Sequence, residues 1–71
     1  MNLPISLPQE AVSLLRLRTS TNDPHGEVHC YLVWCDRLHE IHETEIELAQ
    51  MVALSKYLND EGLQLPLTVH P

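Results

Sequence analysis

The chain has 71 residues, enough for one small domain, and sets 4 Lys+Arg against 10 Asp+Glu for a formal net charge of −6. That balance argues against a nucleic-acid backbone binder, which needs a clustered basic face, and Tyr31, Trp34 and Tyr57 offer few platforms for stacking on bases. The apolar share of 44% fits a folded chain, no apolar run approaches the ~20 residues of a membrane span, and no basic region opens a secretory signal.

A domain this small buries only about 60% of the surface its unfolded chain exposes. Disulfides, a metal or self-association often reinforce such domains. The two cysteines, Cys30 and Cys35, make poor disulfide partners. On one extended strand they lie roughly 16 Å apart, and a bridge needs Cα atoms within about 7 Å. Two free thiols suit a reducing, cytoplasmic setting.

In chain order, residues 1–8 alternate Leu3, Ile5 and Leu7, but Pro4 and Pro8 lack donors. They read as an extended apolar arm or edge strand that packs on its own domain or on a partner. Residues 9–19 fit two patterns. Pro8 followed by Gln9 and Glu10 resembles a helix start. From Leu15 to Arg18, however, leucine and arginine alternate strictly, which favours a strand with Leu15, Leu17 and Thr19 on one side and Leu14, Arg16 and Arg18 on the other. Residues 20–26 have turn composition. Val28 to Trp34 is the clearest strand.

A two-residue turn at Asp36 and Arg37 would pair Trp34 with His39, Leu32 with Ile41 and Cys30 with Glu43. Cys30, Leu32, Trp34 and Ile41 then share the core face. His29, Tyr31, Val33 and Cys35 share the other with Glu40 and His42, and that face is apolar enough to be covered too. Thr44 and Glu47 match a capping box, so a helix is expected over 45–61, with Gly62 as its C′ residue. Leu48, Met51, Leu54 and Leu58 cluster on one side of it, flanked by Ile46, Tyr57 and Val52. That arc is wider than one small sheet usually covers, which points to a second subunit or a partner. The tail, 63–71, alternates Leu63, Leu65 and Leu67 around Pro66, as a short fourth strand or a docking arm. No internal repeat is evident.

His25, His29, Cys30, Cys35, His39 and His42 form the one cluster with chemical potential. Imidazole and thiolate are zinc ligands, and Cys30, Cys35, His39 and His42 would be the set. Their spacing is too short for a zinc finger, and the strand alternation sends the two cysteines to opposite faces. His39-Glu40-Ile41-His42 misses the zincin spacing by one residue. Cys35 and His39 lack a third group to orient them for acyl transfer, and the chain has no Gly-rich phosphate loop. Glu40, Glu43, Glu45 and Glu47 make a negative patch suited to a basic protein surface.

The expected architecture is α+β: a small antiparallel sheet of two or three strands followed by one C-terminal helix packed on it, in a single domain over 1–71, with α-β-β-α as the alternative. The expected function is a non-catalytic interaction module, homodimeric through the wide helix arc, that regulates or inhibits a larger protein. It would use Leu48, Met51, Val52, Leu54 and Leu58 for association or core and Glu40, Glu43, Glu45 and Glu47 for electrostatic contact. No cofactor, nucleic acid or membrane is implied. The alternatives are a zinc-stabilised domain built on the Cys/His cluster and an acidic mimic of nucleic acid.

Overall fold

The computed structural model describes residues 3–21 and 23–69. Strand β1 spans Ser13–Ser20, β2 His29–Cys35 and β3 Ile41–Ile46; helix α1 spans Leu48–Asp60, and β4 is Leu67–Thr68. The strands form one antiparallel sheet in the order β3-β2-β1-β4. The fold is α+β, with the helix after the three main strands. Residues 13–20 are strand, which removes the α-β-β-α alternative. No helix among the described residues is long and apolar enough to cross a membrane.

A bulge in β1 sets its inward face. Leu14 pairs with Trp34, yet Arg16 pairs with Val33, so Leu15 is the extra residue. Leu14 thereby shares a face with Leu17 instead of opposing it. The simple alternation expected from the sequence fails at this point. Leu14 is fully buried, while Arg16 and Arg18 remain on the other face beside Val33 and Tyr31.

The β2–β3 register also differs from expectation. Trp34 pairs with His42, Leu32 with Thr44 and Cys30 with Ile46. The connection is not Asp36–Arg37 alone but the three residues Arg37 to His39, closed by Asp36 and Glu40. Asp36 N–H donates to the Glu40 carbonyl at 3.0 Å, and His39 N–H to the Asp36 carbonyl at 3.1 Å. His39 takes the left-handed position with φ 64°, as in three-residue hairpin loops that end on a bulge. The register moves by an odd number of residues, so every β3 side chain changes face. His42, Thr44 and Ile46 face the helix. Ile41, expected in the core, is 67% exposed.

Thr44 is therefore a strand residue and caps nothing. Its Oγ1 accepts a 2.9 Å hydrogen bond from Trp34 Nε1, giving a largely buried indole its partner. The helix starts later, with Glu47 as N-cap, and Glu47 N–H donates to Gln50 Oε1 at 2.8 Å. The C-terminus follows the expected pattern. Gly62 has φ 67°, its N–H donates to the Asn59 carbonyl, and Leu63 N–H donates to the Leu58 carbonyl.

The core lies between one sheet face and the helix. Leu14, Leu32, Trp34, Leu54 and Leu58 meet there with Ile5 and Ala11, and Leu3, Leu7, Leu63, Leu65, Leu67 and Val69 pack around them. The N-terminal arm thus covers its own domain, and the tail supplies the fourth strand. Residues 1, 2, 70 and 71 of these segments lie outside the described residues. Among the described residues no second layer covers the other sheet face, contrary to expectation. There Val33 is buried among strand neighbours that include Arg16 and Glu43.

Candidate interaction surface

Two turns share one short sequence pattern, a repeat not expected from the sequence. Asp23-x3-Glu27-x-His29 precedes and enters β2, and Asp36-x3-Glu40-x-His42 precedes and enters β3. The local hydrogen bonds repeat as well. Asp23 Oδ1 accepts the His25 N–H at 2.6 Å, as Asp36 Oδ1 accepts the Leu38 N–H at 2.8 Å. Gly26 N–H reaches the Asp23 carbonyl where His39 N–H reaches that of Asp36, and Gly26, with φ 74°, stands where His39 stands. In both, the histidine Nε2 donates to the free Asp Oδ2, at 2.8 Å for His29 and 2.7 Å for His42. The repeat was legible as D-x3-E-[VI]-adjacent spacing, but the intervening residues differ, so local composition hid it.

The first turn ties three elements together. His29 Nδ1 also lies 2.8 Å from Glu45 Oε2 on β3. A neutral imidazole donates from one nitrogen only, so two carboxylate partners favour the protonated ring. The hydrogen bond to Asp23, with the one to Glu45, raises the His29 pKa to about 9. The same contact with His29, helped by the His25 N–H, holds Asp23 below its ordinary value. In the second turn, His42 and then the N–H groups of Glu40 and Leu38 hold Asp36 low. The His42 ring stacks on Trp34 with centroids 4.5 Å apart.

Each turn gathers one imidazole and two carboxylates with ligand atoms within 4.8 Å of one another. Such a set can accept a divalent cation. At His29, a metal would compete with the ring proton that Asp23 and Glu45 favour. The expected zinc set is not assembled: among the described residues, His42 groups with Asp36 and Glu40, not with Cys30, Cys35 and His39. Cys30 is buried on the helix side, and Cys35 lies on the opposite face; both are free thiols.

On the open sheet face, charge changes sign from β1 to β3. Arg18 lies over the Tyr31 ring at 4.4 Å from its centroid. It then grips Glu43 on β3 with two hydrogen bonds of 2.8 and 3.0 Å. This bidentate contact keeps Glu43 below its ordinary pKa and raises that of Arg18. Glu43 and Glu45 thus share the open face of β3 with Ile41. Glu40 belongs to the second turn, and Glu47 caps the helix.

The apolar helix residues divide into two groups. Leu54 and Leu58 are spent on the folding core, and Met51 is half-buried. Leu48 and Val52 are 58% and 59% exposed. Leu48 joins Val28 and Ile46 in a shallow groove at the end of β3, among Glu27, Glu45 and Glu47. Comparisons with protein-family models, curated proteins and solved structures found no match.

Proposed function

We propose that the protein is a non-catalytic binding module that takes a basic, apolar segment of a larger protein on the surface formed by β3 and the start of α1. The observation that carries this reading is the groove in which Val28, Ile46 and Leu48 lie among three carboxylates, Glu27, Glu45 and Glu47, with one imidazole, His29, paired to Glu45. Apolar surface bordered by carboxylates suits a partner whose apolar side chains alternate with Lys or Arg. Through this contact the module would regulate its partner by occupying that segment. The homodimer expected from the helix arc has less to stand on, because Leu54 and Leu58 lie in the monomer's own core. Mimicry of nucleic acid is also less favoured, since the open face sets Arg16 and Arg18 on β1 against Glu43 and Glu45 on β3 instead of presenting one continuous acidic row.

Selection from a peptide library displayed on phage tests the reading. Wild type should enrich peptides that combine Lys or Arg with aliphatic residues, and Leu48→Asp should lose that enrichment while keeping its fold. Enrichment of acidic or purely polar peptides, or an unchanged selection by the variant, would refute it.

A further inference from the structure

β3 is an edge strand whose outer side is free of any strand among the described residues. Its outward backbone groups can be assigned from the register. Asp36 N–H bonds the Glu40 carbonyl, and pairing then alternates along the hairpin. His42, Thr44 and Ile46 exchange hydrogen bonds with Trp34, Leu32 and Cys30. Ile41, Glu43 and Glu45 therefore point their N–H and carbonyl groups away from β2. Their side chains are also the ones on the open face, and all three are exposed. Backbone ladder and side-chain row coincide on the same three residues.

Natural edges are commonly blunted by charge, and this one is blunted selectively. A second copy of β3 related by a two-fold axis must pair residues of the same face. The two registers that use nearly the whole strand are centred on Glu43 or on Thr44. The first sets Glu43 against Glu43, and the second sets Glu43 against Glu45 twice. Like charges directly opposite one another destabilise a pair. Glu43 and Glu45 each hold one cationic partner within the sheet, Arg18 and His29, yet their side chains stay 41% and 58% exposed and attract a strand of opposite sign. Across the open face the sheet already runs from Arg16 and Arg18 on β1, over Tyr31 on β2, to Glu43 and Glu45 on β3. A basic row is the complementary continuation.

We propose that β3 captures an extended segment of another protein as a fifth, antiparallel strand with the pattern basic-x-basic-x-apolar. Read from its N-terminus, the two basic residues stand opposite Glu45 and Glu43, and the apolar residue stands opposite Ile41. Residues just before the first basic position run past the end of β3 toward the groove at Val28 and Leu48. Main-chain hydrogen bonds supply affinity, and alternate side chains supply selection, as in other strand-addition complexes. This rests on the interaction reading above and specifies the backbone form of the partner.

The test uses the whole protein, labelled with nitrogen-15, and a capped peptide with Lys at two alternate positions, Val at the third and Thr between. On binding, the outward amide protons of Ile41, Glu43 and Glu45 should gain protection from hydrogen exchange. Replacing both Lys by Glu should weaken binding by about tenfold or more. N-methylation of the two Lys residues, whose N–H groups face β3, should abolish binding. N-methylation of the Thr residues should leave it intact. The proposal is overturned if the peptide does not bind, if the Glu version binds equally well, or if the two methylation patterns act alike. Protection of the three amides in the protein alone that grows with concentration would also overturn it, since a second copy would then hold the edge. If peptides selected from the library bind but protect only groove amides, the interaction reading survives and strand addition does not.

Discussion

His39 occupies the left-handed region at φ 64° without being glycine. For an L-residue that position costs about 1–2 kcal/mol, because Cβ approaches the following carbonyl oxygen. The cost is tolerated because the turn around it is held from Asp36, whose carboxylate accepts the N–H groups of Leu38 and Glu40 and the Nε2 proton of His42. The twin turn supplies the comparison, with Gly26 at φ 74° in the same place. His39→Gly should therefore stabilise the protein. Removing the Cβ conflict outweighs the extra unfolded-chain entropy of about 0.5–1 kcal/mol, for a net gain of about 0.5–1 kcal/mol. That corresponds to a rise of several degrees in the melting midpoint. A thermal scan showing a lower midpoint would mean that the imidazole makes a contact the turn depends on.

Among the elements, the hairpin β2–β3 shows where the sequence stopped being legible and why. The strand Val28 to Trp34 and the Gly62 helix stop were readable from local chemistry alone. The hairpin register was not, because Asp36-Arg37 has the length of a tight turn but neither residue suits left-handed geometry. The decisive contacts are those of the Asp36 side chain, and the local alternation does not reveal them. Once the register slipped, Ile41 was assigned to the core and Thr44 to a helix cap. The first turn carries a pH prediction at the same scale. The folded His29 pKa, about 9, lies above the ordinary 6.5. Its stabilising contribution is therefore fully present below about pH 6.5 and is lost as pH rises through 9. Asp23 has a depressed pKa, so its contribution is present above its ordinary value of 3.8 and is lost on acidification. Between pH 6.5 and 9 urea unfolding should become easier as pH rises, and His29→Gln should flatten that slope. An unchanged slope in the variant would place the alkaline loss elsewhere.

At the level of the whole molecule, the helix arc that looked like one surface serves two purposes. Leu54 has no exposed surface and sits among Leu14, Leu32 and Trp34, whereas Leu48 is 58% exposed at the rim of the groove. Periodicity places both on the same side of a helix. It does not say how far the sheet extends beneath them, and that depends on the bulge at Leu15 and on the arm that brings in Ile5. A domain of 71 residues has a total stability of roughly 4–10 kcal/mol at about 0.05–0.15 kcal/mol per residue. Leu54→Ala should remove about 2–5 kcal/mol of that through lost burial and the cavity left behind. Leu48→Ala should change stability by less than about 0.5 kcal/mol while weakening capture of apolar, basic peptides. Urea titrations of both variants beside a peptide-binding assay separate the two roles. Equal destabilisation by the two substitutions would mean that Leu48 belongs to the folding core, and the groove would then lose its apolar anchor.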